Sequence, residues 1–331
     1  MKDYIPPFII TGTMIDRISS IMKIIGKLDN YNNLNKMPTL RRNNRIKSIH
    51  SSLRIESNSL SLNQVKSIID GKQVLGPKDE IQEVKNAYNA YNLIKEVDCF
   101  SVKDLKKIQG IITYLLDDES GNFRKGNEGV FDEKGNCIHI CPPPEQVERL
   151  MQNLFKWMKN AKLLVHPLIL SSVFHYEFVF IHPFKDGNGR TARLWQSVIL
   201  SKWEEIFEYV PIESQIKKYQ DEYYKVIAYC DHEGNSTKFI EFILKMIDES
   251  LKELLENTNK EINHTSQYVK RLLNVMEKDV EMTTKELMEK LNMKSRISFR
   301  DNYLKPALES GLIKMTIPEK PTSKNQMYYK I

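Results

Sequence analysis

The sequence predicts a mainly α protein with a β-hairpin near its middle and a winged-helix order at its C-terminal end. Three observations predict it. Apolar residues recur at helical spacing through most of the chain, as at Met14, Ile15, Ile18, Ile21, Met22 and Ile25. Strand signals are confined to Gly121–Ile140 and to the residues after Gly311. The last segment, from Tyr268 on, reads helix, helix, helix, strand, turn, strand.

At 331 residues, 41% hydrophobic and 28% charged, the chain is long enough for two or three domains. The divisions expected are 1–100, 101–255 and 256–331. No apolar stretch approaches the roughly 20 residues of a membrane span, which argues against a membrane protein. Asp3, Pro6 and Pro7 interrupt any secretory h-region at the start. The cysteines Cys99, Cys137, Cys141 and Cys230 fit a reducing, cytoplasmic setting better than a disulfide frame. Cys137 and Cys141 with His139 between them resemble half a zinc site, but no second ligand pair has matching spacing, so a hairpin strand is the better reading. A net charge of +6 permits nucleic-acid contact without requiring it.

In chain order, residues 8–28 read as an amphipathic helix capped by Thr11 or Thr13, followed by an Asn-rich stretch closed by Pro38. A basic helix runs from Thr39 into Ser52 and Glu56, which share one face. On physics alone that end is a solvated polar cluster. Helices follow from Ser61, over 78–97 and over 102–116. Val130-Phe131 and Cys137–Ile140 flank the turn Asp132–Asn136, and Pro142-Pro143-Pro144 stops the second strand and opens a helix over 145–159. An isolated hairpin is marginal in water, so it must lie against helices, and its edge suits an extended peptide. A helix opened by His166-Pro167 buries His175, and helices over 194–202, 213–228 and 237–255 come after it. Residues 256–265 read as a linker or an exposed helix end. In the tail, Thr283 and Glu286 form a capping box, and the helix over 295–308 carries Arg296, Arg300 and Asn302, with Lys294 just before it. That helix suits a DNA major groove, although winged helices also bind proteins.

Most of the chemistry is concentrated in His182–Arg193. Gly187 and Gly189 permit positive φ, so successive amides converge on an anion. A helix entered at about Thr191 adds its N-terminal amides. Arg190 and Arg193 lie on the same first turn and reach one phosphate chain. Asp186 is a hard oxygen ligand of the kind Mg²⁺ takes beside phosphates. His182 suits a general base, and Phe184 points inward as an anchor. Together these describe phosphoryl or nucleotidyl transfer. GxxxxGK[ST] is absent, and Gly187–Ala192 fits GxGxxA only after a helix, so P-loop and Rossmann readings fail.

His182–Arg193 matches HxFx[DE]GNGRxxR at every fixed position and resembles the signature of the Fic (filamentation induced by cAMP) family. The likeness extends over about residues 5–255 and implies a helical core with a β-hairpin flap. It also implies transfer of AMP from ATP, with Mg²⁺, to a Ser, Thr or Tyr hydroxyl of a target protein, self-modification included. By that resemblance His182 is the base and Asp186 the Mg²⁺ ligand. Gly187, Asn188 and Gly189 form the anion hole, leading into Thr191 and Ala192 of the ATP site. Arg190 stabilises the phosphates, Arg193 holds the γ-phosphate, and Tyr223 and Tyr224 lie beside the adenine. Asp231 stands about where the family has a nucleotide-contacting Asn. Asn136, Cys137, Ile138 and His139 make the flap that takes the target as an added strand. Ser52–Glu56 fits the inhibitory motif [ST]xxxE[GN] up to its last position, where Ser57 stands in place of Gly or Asn and Asn58 follows. Glu56 is then expected to pair with Arg193 and keep ATP unproductive. Two alternatives are a Fic enzyme that transfers another phosphate-containing group or removes AMP, and a DNA-binding regulator whose Fic domain is a sensor, contacting DNA through 295–308. A homo-oligomer stays open.

Overall fold

The structure is a computed structural model that describes residues 4–30, 38–131, 137–277 and 280–330. It divides into two compact units, Met1–Leu254 and Leu255–Ile331.

Among the described residues, the first unit is helical apart from one hairpin, as expected. Its helices are α1 (Gly12–Asn30), α2 (Pro38–Ile55), α3 (Leu62–Ile69), α4 (Lys78–Asn92), α5 (Val102–Ile112), α6 (Pro144–Ala161), α7 (Pro167–Ile181), α8 (Asn188–Trp203), α9 (Ile212–Lys218), α10 (Gln220–Glu233) and the first part of α11 (Thr237–Val275). The centre is the pair α7–α8. Leu168 to Phe178 of α7 is buried on every face, as is Arg190 to Leu200 of α8, which is what a helix enclosed by others requires. α6 packs on α7, while α5 and α2 pack on α8. His166 opens α7 by accepting from the Leu168 amide at 3.2 Å, with Pro167 at the first helical position. Ser61 and Gln64 close a capping box on α3.

The hairpin is β1 (Gly129–Phe131) and β2 (Cys137–Ile140), antiparallel, with Val130 opposite His139 and a bulge between Val130 and Phe131. The expected turn Asp132–Asn136 lies outside the described residues.

Three expectations are corrected. Helix α8 begins at Asn188, not near Thr191, because Gly187 already takes the left-handed cap position at φ 76°. The helix expected over 213–228 is two helices that share Tyr219 as C-cap and N-cap. The polar stretch 256–265 is neither linker nor helix end. It continues α11, since Glu256, Lys260 and Glu261 are good helix formers and no Gly or Pro interrupts them.

The second unit takes the end of α11, then β3 (Met282–Thr283), α12 (Thr284–Lys290), α13 (Arg296–Phe299), a π-turn over Arg300–Leu304, α14 (Lys305–Glu309), β4 (Ile313–Met315) and β5 (Met327–Lys330). Pro306 has no N–H to return to the carbonyl of Asn302, which suits the widened turn there. The sheet order is β3-β5-β4, and β3 is a strand that its two-residue length kept out of the sequence pattern. Leu272, Leu287, Phe299, Ala307 and Ile313 form this unit's own core.

Candidate active site

The chain between α7 and α8 is held by side chains from inside and outside the loop. Phe184 is fully buried, with its ring 5.2 Å from Phe123 and 6.1 Å from Phe178. Asn188 clamps the loop from within: its amide donates to the Phe184 carbonyl at 2.7 Å and its oxygen accepts from the Phe184 amide at 3.0 Å. The Asn188 side chain is therefore a loop brace, and only its backbone faces the anion site. His182 ends α7 in the left-handed region, at φ 50° and ψ 60°, with its amide bonded to the Phe178 carbonyl at 3.0 Å. Such a conformation costs a non-glycine residue about 1 kcal/mol and persists only where the surroundings impose it.

Much of that imposition comes from Arg124, which sequence reasoning missed. The buried guanidinium donates to the carbonyls of His182 at 2.7 Å, Gly126 at 2.8 Å, Pro142 at 2.5 Å and Ile181 at 3.4 Å. Gly126 and Pro142 are the two feet of the hairpin, so one cation ties the hairpin to the chain at His182. Nothing in the spacing of Arg124 signals this, because its partners are backbone carbonyls and all but Gly126 lie far along the sequence.

The glycines divide their work. Gly187 alone has positive φ, and its amide donates to Asp186 Oδ1 at 2.5 Å. Gly189 is helical, which corrects the expectation of a second positive φ. A Cβ there would lie 2.4 Å from Glu56 Oε1, so the missing side chain is what lets that carboxylate approach the start of α8. The amides of Asn188, Gly189 and Arg190 have no acceptor inside the helix, and this positive end of α8 favours an anion.

Glu56 is that anion. It accepts from Arg193 Nη2 at 2.7 Å, while Arg193 Nε donates to Ser52 Oγ at 3.1 Å and Nη2 to the Ser52 carbonyl at 3.0 Å. The structure thus joins Ser52, Glu56 and Arg193: Glu56 stays exposed, as a solvated helix end would be, and is at the same time paired with a buried guanidinium. Burial works against the Arg193 charge, but Glu56 and the nearby tyrosines more than offset it and hold its pKa up. Helix α2 ends with Ser57 at φ 68°, the left-handed position where Gly or Asn is commoner, so the helix-end geometry survives the substitution.

Arg190 faces elsewhere. Its Nη2 grips both oxygens of Asp186 at 2.8 Å, and its Nη1 donates to Glu83 Oε1 at 2.7 Å. Glu83, on α4, is a second residue that the sequence did not single out. The Asp186 side chain remains half exposed.

A cavity of about 140 Å³ opens beside these groups, lined by Glu56, Val179, Phe180, His182, Gly189, Arg193, Tyr223, Tyr224, Ile227, Ala228 and Asp231. Seven of the expected site residues thus meet there. Asp186, Gly187, Asn188, Arg190, Thr191 and Ala192 are not among its walls, and Thr191 and Ala192 have fully buried side chains, with the Thr191 amide spent on the Gly187 carbonyl at 2.9 Å. Tyr223 presents its ring but turns its hydroxyl to the core, bonded to His175 Nε2 at 3.0 Å, while His175 Nδ1 meets Gln196 at 2.7 Å. His175 is fully buried, as the sequence implied, and burial pushes its pKa down to about 3. Asp231 accepts from the Tyr176 hydroxyl at 2.8 Å. Of the hairpin residues, Asn136 lies outside the described residues, and Cys137, Ile138 and His139 form β2.

Comparison with known proteins decides the family. Residues 99–200 match the Fic/DOC family, and residues 267–330 match the C-terminal domain of Fic-like proteins (filamentation induced by cAMP protein Fic-like). The crystal structure of a Fic family protein from Desulfovibrio desulfuricans G20 aligns over 99% of this chain and 98% of that one, at 38% identity and a TM-score of 0.75. The chain belongs to the Fic family. The Fic relatives also include the protein adenylyltransferase Fic of Culex quinquefasciatus, 31% identical over 66% of this chain and 43% of that protein. The Nematostella vectensis protein of the same name is 28% identical over 63% of this chain and 48% of its own. The chain thus spans less than half the length of these curated Fic relatives. Fic-1 from C. elegans, at 22% identity and a TM-score of 0.64 over 75% of this chain, shares the fold. Among the described residues, no helix is long and apolar enough to cross a membrane.

Proposed function

We propose that this Fic protein is a protein adenylyltransferase: it moves AMP from ATP to a Ser, Thr or Tyr hydroxyl of a target protein and is restrained by Glu56. The observation that carries the reading is the Glu56 carboxylate on Arg193 at the N-terminus of α8, beside a cavity that His182 also lines. A protein that keeps its own anion there has built a site for a competing one, the polyphosphate of a nucleotide. The name carried by the curated relatives supports the same reading.

In the proposed reaction the target hydroxyl oxygen attacks the α-phosphorus of ATP. A new P–O bond forms, the bond to the bridging oxygen breaks, and pyrophosphate leaves with the electron pair. His182 takes the hydroxyl proton. The amides at the start of α8 and the Arg193 guanidinium, once freed from Glu56, stabilise the charge that builds on the phosphates. The adenine lies against Tyr223, Tyr224 and Ile227, with Asp231 at the polar edge. A target segment aligns as a strand added to β2. Asp186 fits Mg²⁺, which usually takes one or two carboxylates and completes its shell with phosphate oxygens and water, and its half-exposed side chain leaves room for them. When bound, Mg²⁺ would neutralise phosphate charge. For the C-terminal unit we keep the winged-helix reading, with DNA or protein as partner of the segment 295–308, and the protein is placed in the cytoplasm.

Intact-mass measurement with ATP and Mg²⁺ tests the assignment. Glu56→Gly is expected to raise incorporation of AMP, self-modification included. An unchanged mass profile would argue against both restraint and transfer, and an added phosphate instead of AMP would redefine the reaction. His182→Ala is expected to lose transfer by a factor of about 10² or more while retaining the fold. Persisting incorporation would overturn its role as the base.

A further inference from the structure

Glu83 touches both halves of the restrained site. Its Oε1 accepts from Arg190 at 2.7 Å, and its Oε2 accepts from Asn58 Nδ2 at 2.7 Å. Asn58 is the residue just beyond the left-handed Ser57, and its amide closes the end of α2 onto the Leu53 carbonyl at 3.1 Å. The same side chain donates to the Glu80 carbonyl at 3.2 Å and accepts from the Leu60 amide at 3.1 Å. Serine gains nothing from its left-handed backbone, so the turn that aims Glu56 depends on what grips the chain after it. Helix α4 supplies that grip through two carboxylates: Glu83 holds the Asn58 side chain, and Glu80 accepts from the Ser59 amide and hydroxyl at 2.7 Å each, while Glu83 alone also reaches the α8 arginine.

We propose that Glu83 is a positioning residue that keeps Glu56 on Arg193 by anchoring Asn58, and that its second oxygen enrols Arg190 in the same restraint. The proposal rests on the inhibitory reading of Glu56. It implies a coupling between the two arginines. Burial pushes the Glu83 carboxyl up, and Arg190 and Asn58 work against that. Glu83 holds Arg190 with one oxygen and Asn58 with the other, so an anion that draws Arg190 away leaves the carboxylate held from one side only and free to turn from Asn58. Phosphate contact at Arg190 then loosens the end of α2, some residues away from the ion pair it carries.

The test uses the full chain with ATP and Mg²⁺ and reads AMP incorporation, with a thermal melt of each variant to show that it is folded. Asn58→Ala removes the anchor and leaves the Glu83–Arg190 pair, and Glu83→Gln weakens both. Each is expected to raise transfer over wild type by about fivefold, the equivalent of one hydrogen bond. Neither is expected to add to Glu56→Gly. Ser57→Gly, which removes the backbone penalty, should bring Glu83→Gln back toward the wild-type rate, a rescue that a general loss of packing would not give. If Glu56→Gly raises transfer and Asn58→Ala does not, the inference is overturned and the inhibitory reading stands. If Glu56→Gly itself has no effect, the inhibitory reading falls and takes the inference with it.

Discussion

Gly187 and Gly189 sit two residues apart and are glycine for different reasons. Gly187 needs its backbone, at φ 76°, whereas Gly189 needs only the space that the Glu56 carboxylate fills. The difference has a sign that can be measured. In a helix interior alanine is favoured over glycine by about 1 kcal/mol, so Gly189→Ala should stabilise α8 wherever the new methyl group has room. In the Glu56→Gly background only the flexible end of Arg193, with Nη1 3.1 Å from the new methyl group, has to give way, and a thermal melt is expected to show a neutral or raised Tm. In the wild type the methyl group meets Glu56 Oε1, and the same substitution should lower Tm. Equal shifts in the two backgrounds would mean that Glu56 does not occupy the space over Gly189. At this scale the sequence was informative about residue types and less so about roles: Asn188 is a brace, and Arg190 is paired with two carboxylates.

Among the elements, the sequence showed best what is local. The burial of α7, the hairpin, the start of α3 near Ser61 and the capping box of α12 follow from spacing and cap residues within a few positions. The signature His182–Arg193 is contiguous for a physical reason, since a base, a left-handed turn and a helix N-terminus must follow one another to converge on one anion. What the sequence hid is what joins elements. Glu83 on α4, Asn58 after α2 and Arg124 before β1 act on the same few residues of α7 and α8, and no periodicity links an α4 carboxylate to an α8 guanidinium. Continuity was hidden too: 256–265 is polar but carries no Gly or Pro, and polarity alone does not end a helix.

For the whole molecule, two buried groups on α7 make stability depend on pH in opposite senses. Burial pushes the Glu177 carboxyl up to about 7, with the Tyr4 hydroxyl donating to it at 2.6 Å and Asp231 adding repulsion. A folded-state pKa above the unfolded one contributes stability that is full below the unfolded value of 4.5 and is lost as pH rises through about 7. His175 does the reverse: held at about 3, it contributes stability above its unfolded value of 6.5 that is lost as pH falls. Glu177→Gln should therefore gain on the wild type as pH rises from 5 to 8, by on the order of 3 kcal/mol at most, in denaturant titrations at each pH. A constant difference across that range would show that Glu177 is ionised throughout.

Arg124 gives the proposed reaction a scale of length. Its guanidinium fixes both feet of the hairpin against the carbonyl of His182 itself. In the reaction proposed above, a guest strand added to β2 would be gauged from a fixed point, and its side chains would pass that point in steps of two residues, about 7 Å apart on one face. Which hydroxyl is offered to the imidazole is then a matter of registration along the guest backbone, with little asked of the guest's own sequence. An enzyme so calibrated would tolerate many target sequences and few target geometries, and a one-residue slip of the guest would present the wrong face altogether.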